Sequence, residues 1–155
     1  MTGANTQGAT AGDAQAQRLA ERAAAAMWAQ DRASQGLGMR LTEIAPGRAR
    51  LSMRVRPDMV NGHDICHGGF VFALADSAFA FACNSHNDAT VAAAGAIDFL
   101  APARAGDELT AQARELWRSG KNGLYEITVT NQRGECLALL RGRSHRVSGR
   151  LVEPE

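Results

Sequence analysis

Apolar and polar positions change their spacing along the chain, and each change marks a predicted element. Residues 1–12 are rich in Gly, Thr, Ala, Asn and Gln and carry no large apolar side chain after Met1. They bury too little to offset the entropy of ordering and are expected to be a disordered tail. From Ala14 to Ser34 an alanine-rich run with interspersed Gln, Arg and Glu predicts a helix that stops near Gly36, with Asp13 as its N-cap. Leu19, Met27 and Trp28 give this N-terminal helix a narrow apolar stripe. The period then shortens to two. Ala49, Leu51, Met53 and Val55 alternate with Arg50, Ser52, Arg54 and Arg56, the mark of a strand with one buried face. Ala45-Pro46-Gly47 supplies a turn before it, and Met39 to Ile44 its partner strand.

After Ala89 turn residues recur at Ala101-Pro102, Gly106-Asp107, Ser119 to Gly123 and Asn131 to Gly134, separating four strand-length runs. Leu109, Ala111 and Ala113 alternate with polar neighbours, as do Tyr125, Ile127 and Val129, so these strands are expected to be antiparallel and half-buried. Between the two groups lies Gly68 to Cys83, where only Asp76 and Ser77 interrupt Gly, Phe, Val, Leu, Ala and Cys. A helix apolar all round has to be buried. The predicted class is α+β, with about six antiparallel strands curved around one long central helix. The boundaries expected are a single domain over 13–149 and a C-terminal tail over 150–155.

Composition narrows the function. The 17 basic residues nearly balance the 16 acidic ones and are scattered, which argues against nucleic acid as a partner. No run approaches the ~20 apolar residues of a membrane-spanning helix and no secretory signal opens the chain, so a cytoplasmic protein with no membrane partner is expected. Cys66, Cys83 and Cys136 are odd in number and lack a Cys-x-x-Cys pair, which fits reduced thiols better than a disulfide framework or a zinc knuckle.

Asp76 is the residue that asks for an explanation, because an ionised carboxylate inside an apolar helix is costly without partners or a wet cleft. A structural Asp bonded to a loop or to a partner subunit is the plain alternative. Its surroundings favour chemistry: Asn61-Gly62-His63-Asp64-Ile65-Cys66-His67-Gly68-Gly69 is a polar, glycine-rich loop running into the helix. A glycine pair at a helix start offers backbone N–H groups to an oxyanion or a carbonyl oxygen. Gly68 and Asp76 lie eight residues apart, about 12 Å of helix at ~1.5 Å per residue. One chain cannot bring both to one carbonyl, so a site shared across a two-fold dimer is expected.

The motif Asn61-Gly62-His63, then Cys66-His67-Gly68-Gly69, then Leu74-Ala75-Asp76-Ser77-Ala78-Phe79-Ala80 resembles the signature of phenylacetate-pathway acyl-CoA thioesterases in the hotdog superfamily. Ile97-Asp98-Phe99-Leu100-Ala101-Pro102, Gly106-Asp107-Glu108-Leu109-Thr110-Ala111 and Arg141-Gly142-Arg143-Ser144-His145-Arg146 extend the resemblance, which covers roughly residues 37–149. It implies a hotdog fold, homodimers joined edge to edge with shared active sites, and homotetramers. It also implies hydrolysis of phenylacetyl-CoA or ring-hydroxylated relatives to the free acid and CoA, with no cofactor. The catalytic positions it implies are Asp76 as nucleophile or general base, Gly68 as oxyanion donor, and Asn61 and His67 as positioning residues. Gly69, Ser77 and His63 are the expected substrate-binding positions. One departure stands out. Where many relatives place a water-positioning Ser or Thr after the helix, this chain has Ala92-Ala93-Ala94, with Thr90 the nearest hydroxyl.

Other chemistries fit less well. His63, Cys66 and His67 have metal-ligand character, but no further cluster completes a set, and no metal site is assigned. Cys66 beside His67 suggests a thiolate, whereas Cys83 and Cys136 read as small core residues. His86 and His145 read as surface or satisfied histidines. Lys121, Arg141, Arg143 and Arg146 could meet CoA phosphates, and Phe70, Phe72, Phe79 and Phe81 read mainly as core. The hotdog scaffold also carries hydratases and non-catalytic acyl-CoA sensors. The nearest alternatives are a thioesterase for another aryl- or medium-chain acyl-CoA and a non-catalytic acyl-CoA-binding protein.

Overall fold

The computed structural model describes residues 10–154, so most of the expected N-terminal tail lies outside the described residues. Helix α1 runs Ala11–Gln30 and α2 Arg32–Gly36; strands β1 (Arg40–Ala45) and β2 (Arg48–Arg54) follow. A single 3-10 turn at Pro57–Met59 leads to α3 (Gly68–Asn84), and β3 (Asp88–Phe99), β4 (Glu108–Ser119), β5 (Asn122–Thr130) and β6 (Cys136–Arg150) complete the chain. The six strands form one antiparallel sheet in the order β1-β2-β4-β5-β6-β3. The hairpin strands β4 and β5 pair residue for residue from Thr110–Thr130 to Ala113–Ile127, which keeps their apolar positions on one face.

That face packs on α3. Leu51, Met53, Leu109, Ile127, Val129 and Leu140 from the sheet meet Leu74, Ala75, Ala78, Phe79 and Ala82 of the helix, all essentially without solvent contact. Phe79 lies 5.3 Å from Tyr125 between ring centroids. It also fills the space over Gly142, where an added Cβ would come within 2.7 Å of the ring. Helix α1 covers the β1 side of the layer.

Four expectations are corrected here. Asp13 is not the N-cap of α1. Thr10 is, with Thr10 Oγ1 accepting the Asp13 N–H at 3.1 Å and the Asp13 carboxylate accepting the Thr10 N–H at 2.9 Å, a reciprocal capping box. Order therefore begins before residue 13. The helix also breaks at Asp31, whose carboxylate accepts from the Ser34 N–H at 2.9 Å and from the Ser34 hydroxyl at 2.6 Å, starting α2 instead of continuing α1. The fully buried face of α1 is Ala20, Ala23 and Ala24, because alanine lets the helix approach closely, while Leu19, Met27 and Trp28 are half-buried around it. Finally, Cys136 is exposed at the start of β6; Cys66 and Cys83 are buried.

The sequence expected α3 to be buried on all sides, and it is not. Asp76 and Gly69 are exposed, and Phe70, Phe72, Ala73 and Ala80 are half-buried, because the sheet covers only one side of the helix. The edge strand β3 shares this bareness, with 91–96 exposed throughout. At the other end of the chain, the Asn87 side chain accepts from the Leu151 and Val152 N–H groups at 3.1 and 2.9 Å, so the residues after β6 are tied to the start of β3. Among the described residues no helix is long and apolar enough to cross a membrane.

Candidate active site

The loop into α3 is folded by Asn61. Its side-chain oxygen accepts from the His63 N–H at 3.0 Å and the Ile65 N–H at 3.5 Å, and its own N–H donates to the Ile65 carbonyl at 2.8 Å. The Asn61 oxygen is thus committed to the loop, while its amide N–H2 has no partner among the described residues. His63 stands exposed at the loop tip, contributing its backbone N–H to this turn. Two further backbone bonds, from Cys66 N–H to Ala103 O at 2.7 Å and from His67 N–H to Met59 O at 2.8 Å, anchor the loop where the helix begins.

His67 caps α3. Its Nδ1 accepts the Gly69 N–H at 2.9 Å. This corrects the reading of two ligand-facing glycine donors. Gly69 is occupied by the cap, and a Cβ there would come within 3.0 Å of the same ring nitrogen. The Gly68 N–H, by contrast, has no acceptor among the described residues. A Cβ at Gly68 would lie 3.0 Å from the Phe99 ring, so the glycine at this position is what lets that ring close over the helix start. Together Asn61, Ile65, Gly68, Val71, Phe99 and Leu137 line most of a mainly apolar cavity of about 520 Å³. Phe99, Leu100 and Pro102 of its wall belong to the motif over 97–102, a signal present in the sequence and not read as a pocket.

Asp76 does not reach this cavity within one chain. It is exposed on the bare side of α3, and no donor reaches its carboxylate among the described residues. The apolar helix surface around it withdraws it from water and raises its pKa above the ordinary value. Ser77, next in sequence, faces elsewhere. Its hydroxyl meets that of Ser34 at 2.8 Å, and Ser34 in turn donates to Asp31, a chain of bonds that ties α3 to α2. That contact gives Ser77 a structural role within the chain.

The remaining candidates have been taken up by the fold. Burial raises the Cys66 thiol, against a thiolate nucleophile, and pushes Cys83 up to about 12. His86 Nε2 meets Glu115 Oε2 at 2.8 Å, and His145 Nδ1 meets Asn122 at 3.2 Å. The Thr90 hydroxyl donates to the Asp88 carbonyl at 2.8 Å. Arg141 lies 3.6 Å from Glu126 on the outer face. Phe79 and Phe81 are core, whereas Phe70 and Phe72 are half-buried on the bare side.

One antiparallel sheet wrapped on a long helix is the hotdog architecture, and similarity to an acyl-CoA thioesterase over most of the chain makes it a hotdog-fold thioester hydrolase. It belongs to the thioesterase superfamily, whose family model matches residues 63–138. The acyl-coenzyme A thioesterase PaaI of Escherichia coli is 45% identical over 127 residues, 82% of this chain and 91% of that protein. The solved structure of the E. coli PaaI protein from the phenylacetic acid degradation operon superposes with a TM-score of 0.85 at 44% identity, covering 86% of this chain and 97% of that one. A mutant of the phenylacetic acid degradation protein PaaI from Thermus thermophilus aligns at 36% identity and a TM-score of 0.71, over 74% and 97% of the two chains.

Proposed function

We propose that this protein hydrolyses phenylacetyl-CoA and ring-hydroxylated phenylacetyl-CoA to the free acid and CoA, in sites shared by two protomers. The observation that carries this reading is the separation of two unpartnered groups on α3: a Gly68 N–H opening on an apolar cavity, and Asp76 about 12 Å further along the axis on a face the chain leaves bare. A second copy laid along the exposed β3 edge would continue the sheet and bring Asp76 of one protomer near Gly68 of the other. Pairs of such dimers would form the homotetramer.

In this scheme the thioester carbonyl oxygen sits on the Gly68 N–H, with the Asn61 amide beside it, and the acyl group occupies the cavity. Asp76 either attacks the carbonyl carbon or takes a proton from the water that does. Negative charge develops on the oxygen, where Gly68 stabilises it; the C–S bond then breaks and the CoA sulfur leaves and takes up a proton. Direct attack passes through an Asp76 anhydride that water cleaves. Both routes consume one water. A single turnover in isotopically labelled water separates them, since only the anhydride route can leave label on Asp76.

The test is free-thiol release from phenylacetyl-CoA, benzoyl-CoA and a medium-chain acyl-CoA. Fastest release from phenylacetyl-CoA supports the substrate; a preference for either of the others replaces it, and tight binding without release moves the protein to acyl-CoA binding alone. Sharing is tested by mixing two inactive variants, Asp76→Asn and Gly68→Pro. Proline suits the first helical position and deletes the N–H in question, but its Cβ also meets the Phe99 ring at 3.0 Å, so a melting curve checks that the variant is folded before mixing. Subunit exchange should restore about a quarter of wild-type activity, because half the dimers are mixed and each holds one intact site. Two inactive variants that stay inactive on mixing would rule out the shared site.

A further inference from the structure

Two side chains where β3 ends are left out of the core. Phe99 and Leu100, 56% and 59% exposed, are the most exposed large apolar side chains among the described residues, and neither joins the cluster that packs on α3. The backbone that carries them is nevertheless held firmly. Phe99 closes the register of β3 against Ala138 of β6, and the Leu100 and Ala101 N–H groups both donate to the Leu137 carbonyl, at 2.8 and 3.2 Å. Further on, the Ala103 carbonyl accepts the Cys66 N–H at 2.7 Å, which ties the segment to the loop before α3. Apolar side chains that a fixed backbone keeps outside the core are placed for a ligand, not for stability. Both line the cavity of about 520 Å³ that Gly68 also lines, and Phe99 is the one aromatic ring among its lining residues. That ring rests against the first residue of α3: its Cζ would lie 3.0 Å from a Cβ on Gly68.

We infer that Phe99 selects aryl-acyl over alkyl-acyl thioesters by packing its ring against the ring of the acyl group; the inference rests on the thioesterase reading above. In that reading the Gly68 N–H fixes the carbonyl, and Phe99 touches Gly68, so the acyl atoms just beyond the carbonyl meet the Phe99 ring. A saturated acyl group gains there only the removal of apolar surface from water. An aromatic group gains that and the offset or edge-to-face attraction of two rings whose centroids stand about 4.5–7 Å apart. Ile65, Val71, Leu100 and Leu137 line the same cavity and are aliphatic, so they give both kinds of acyl group the same contact. The discrimination is carried by one side chain.

The experiment measures kcat/KM for phenylacetyl-CoA and for cyclohexylacetyl-CoA, whose ring has the same reach and no π-face, in wild type, Phe99→Leu and Phe99→Ile. The ratio of the two is taken within each preparation, so the fraction of folded enzyme cancels. The intrinsic reactivities of the two thioesters cancel when the ratio is compared between proteins. With Phe99 as the selector, the ratio falls about 2- to 12-fold in both variants, the worth of one aromatic pair. The β-branched Ile suits the strand position and keeps the test open if Phe99→Leu does not fold. Leu100→Ala removes apolar area from the same wall without removing a ring, and lowers both thioesters alike. A ratio that falls as far in Leu100→Ala as in Phe99→Leu overturns the inference, because the wall as a whole then sets the preference. An unchanged ratio in the Phe99 variants with continued thiol release overturns the role of Phe99 and leaves the thioesterase standing; absence of release from either thioester by the wild type overturns both.

Discussion

Asp76 and Glu115 are both carboxylates set among apolar side chains, and the fold treats them in opposite ways. Glu115 accepts from the Tyr125 hydroxyl at 2.6 Å, meets His86 at 2.8 Å and has Arg118 at 4.0 Å. Burial pushes its pKa up, but those hydrogen bonds and neighbouring charges outweigh it and hold the group below the ordinary value. Asp76 has the burial penalty without the partners, and its pKa is raised. Glu115 is part of what holds the sheet together; the Asp76 carboxylate meets no donor among the described residues. A carboxylate that the fold perturbs and leaves unpaired beside an open face is the one to connect with chemistry.

Asp76→Asn should break the contrast most sharply. A lost general base or nucleophile costs roughly 10²–10⁴-fold in kcat, while thermal stability holds because no hydrogen bond is lost with the charge. Thiol-release kinetics and a melting curve on one preparation decide it; a destabilised but active variant would move Asp76 into the structural role that Glu115 holds. Gly142→Ala addresses the opposite side of α3. A methyl group within 2.7 Å of the Phe79 ring overpacks the core, and a loss of about 1–3 kcal/mol in denaturant titrations is expected. Glu115→Gln should cost about 1–3 kcal/mol through the partly orphaned Tyr125 hydroxyl and His86 ring, with kcat little changed.

Acid titration sharpens the same pair. Folding raises the Asp76 pKa, so its contribution to stability is fully present below the unfolded value and is lost as pH rises through the raised one. Glu115 is lowered, so its contribution is present above the unfolded value and lost as pH falls through the lowered one. The acid limb of kcat/KM should accordingly fall above the ordinary carboxylate range, and acid unfolding below it. Coincidence of the two midpoints would mean that one group governs both.

Much of this architecture was legible because period-two patterns report burial directly: Ala49, Leu51, Met53 and Val55 are buried as their alternation predicts. The bare side of α3 was not legible, since an apolar helix reads alike whether a sheet or a second chain covers it. The Thr10 cap was present as Thr and Asp three residues apart, and lost to the more conspicuous Asp13. Which of two adjacent glycines keeps a free N–H depends on the His67 ring, a side-chain orientation that spacing cannot supply. Glu115, His86 and Tyr125 come from three separate elements, brought together past an irregularity in β4 between Glu115 and Trp117. Local patterns do not reach so far.

The smallest effect separates two neighbours. Asp76 and Ser77 are the only polar residues within the apolar run of α3, and sequence alone grouped them as one polar step in the site. The helix turns them to different surroundings: Ser77 shares a hydroxyl contact with Ser34 at 2.8 Å, and Ser34 is already bonded to Asp31. Ser77→Ala should cost about 0.5–1.5 kcal/mol, the net worth of one such hydrogen bond, and leave kcat and KM at wild-type values. The loss should also shrink in a Ser34→Ala background, because the partner is then already absent. A fall in kcat/KM with stability intact would return Ser77 to the substrate, and would mean that the face bearing Asp76 is wider than one residue.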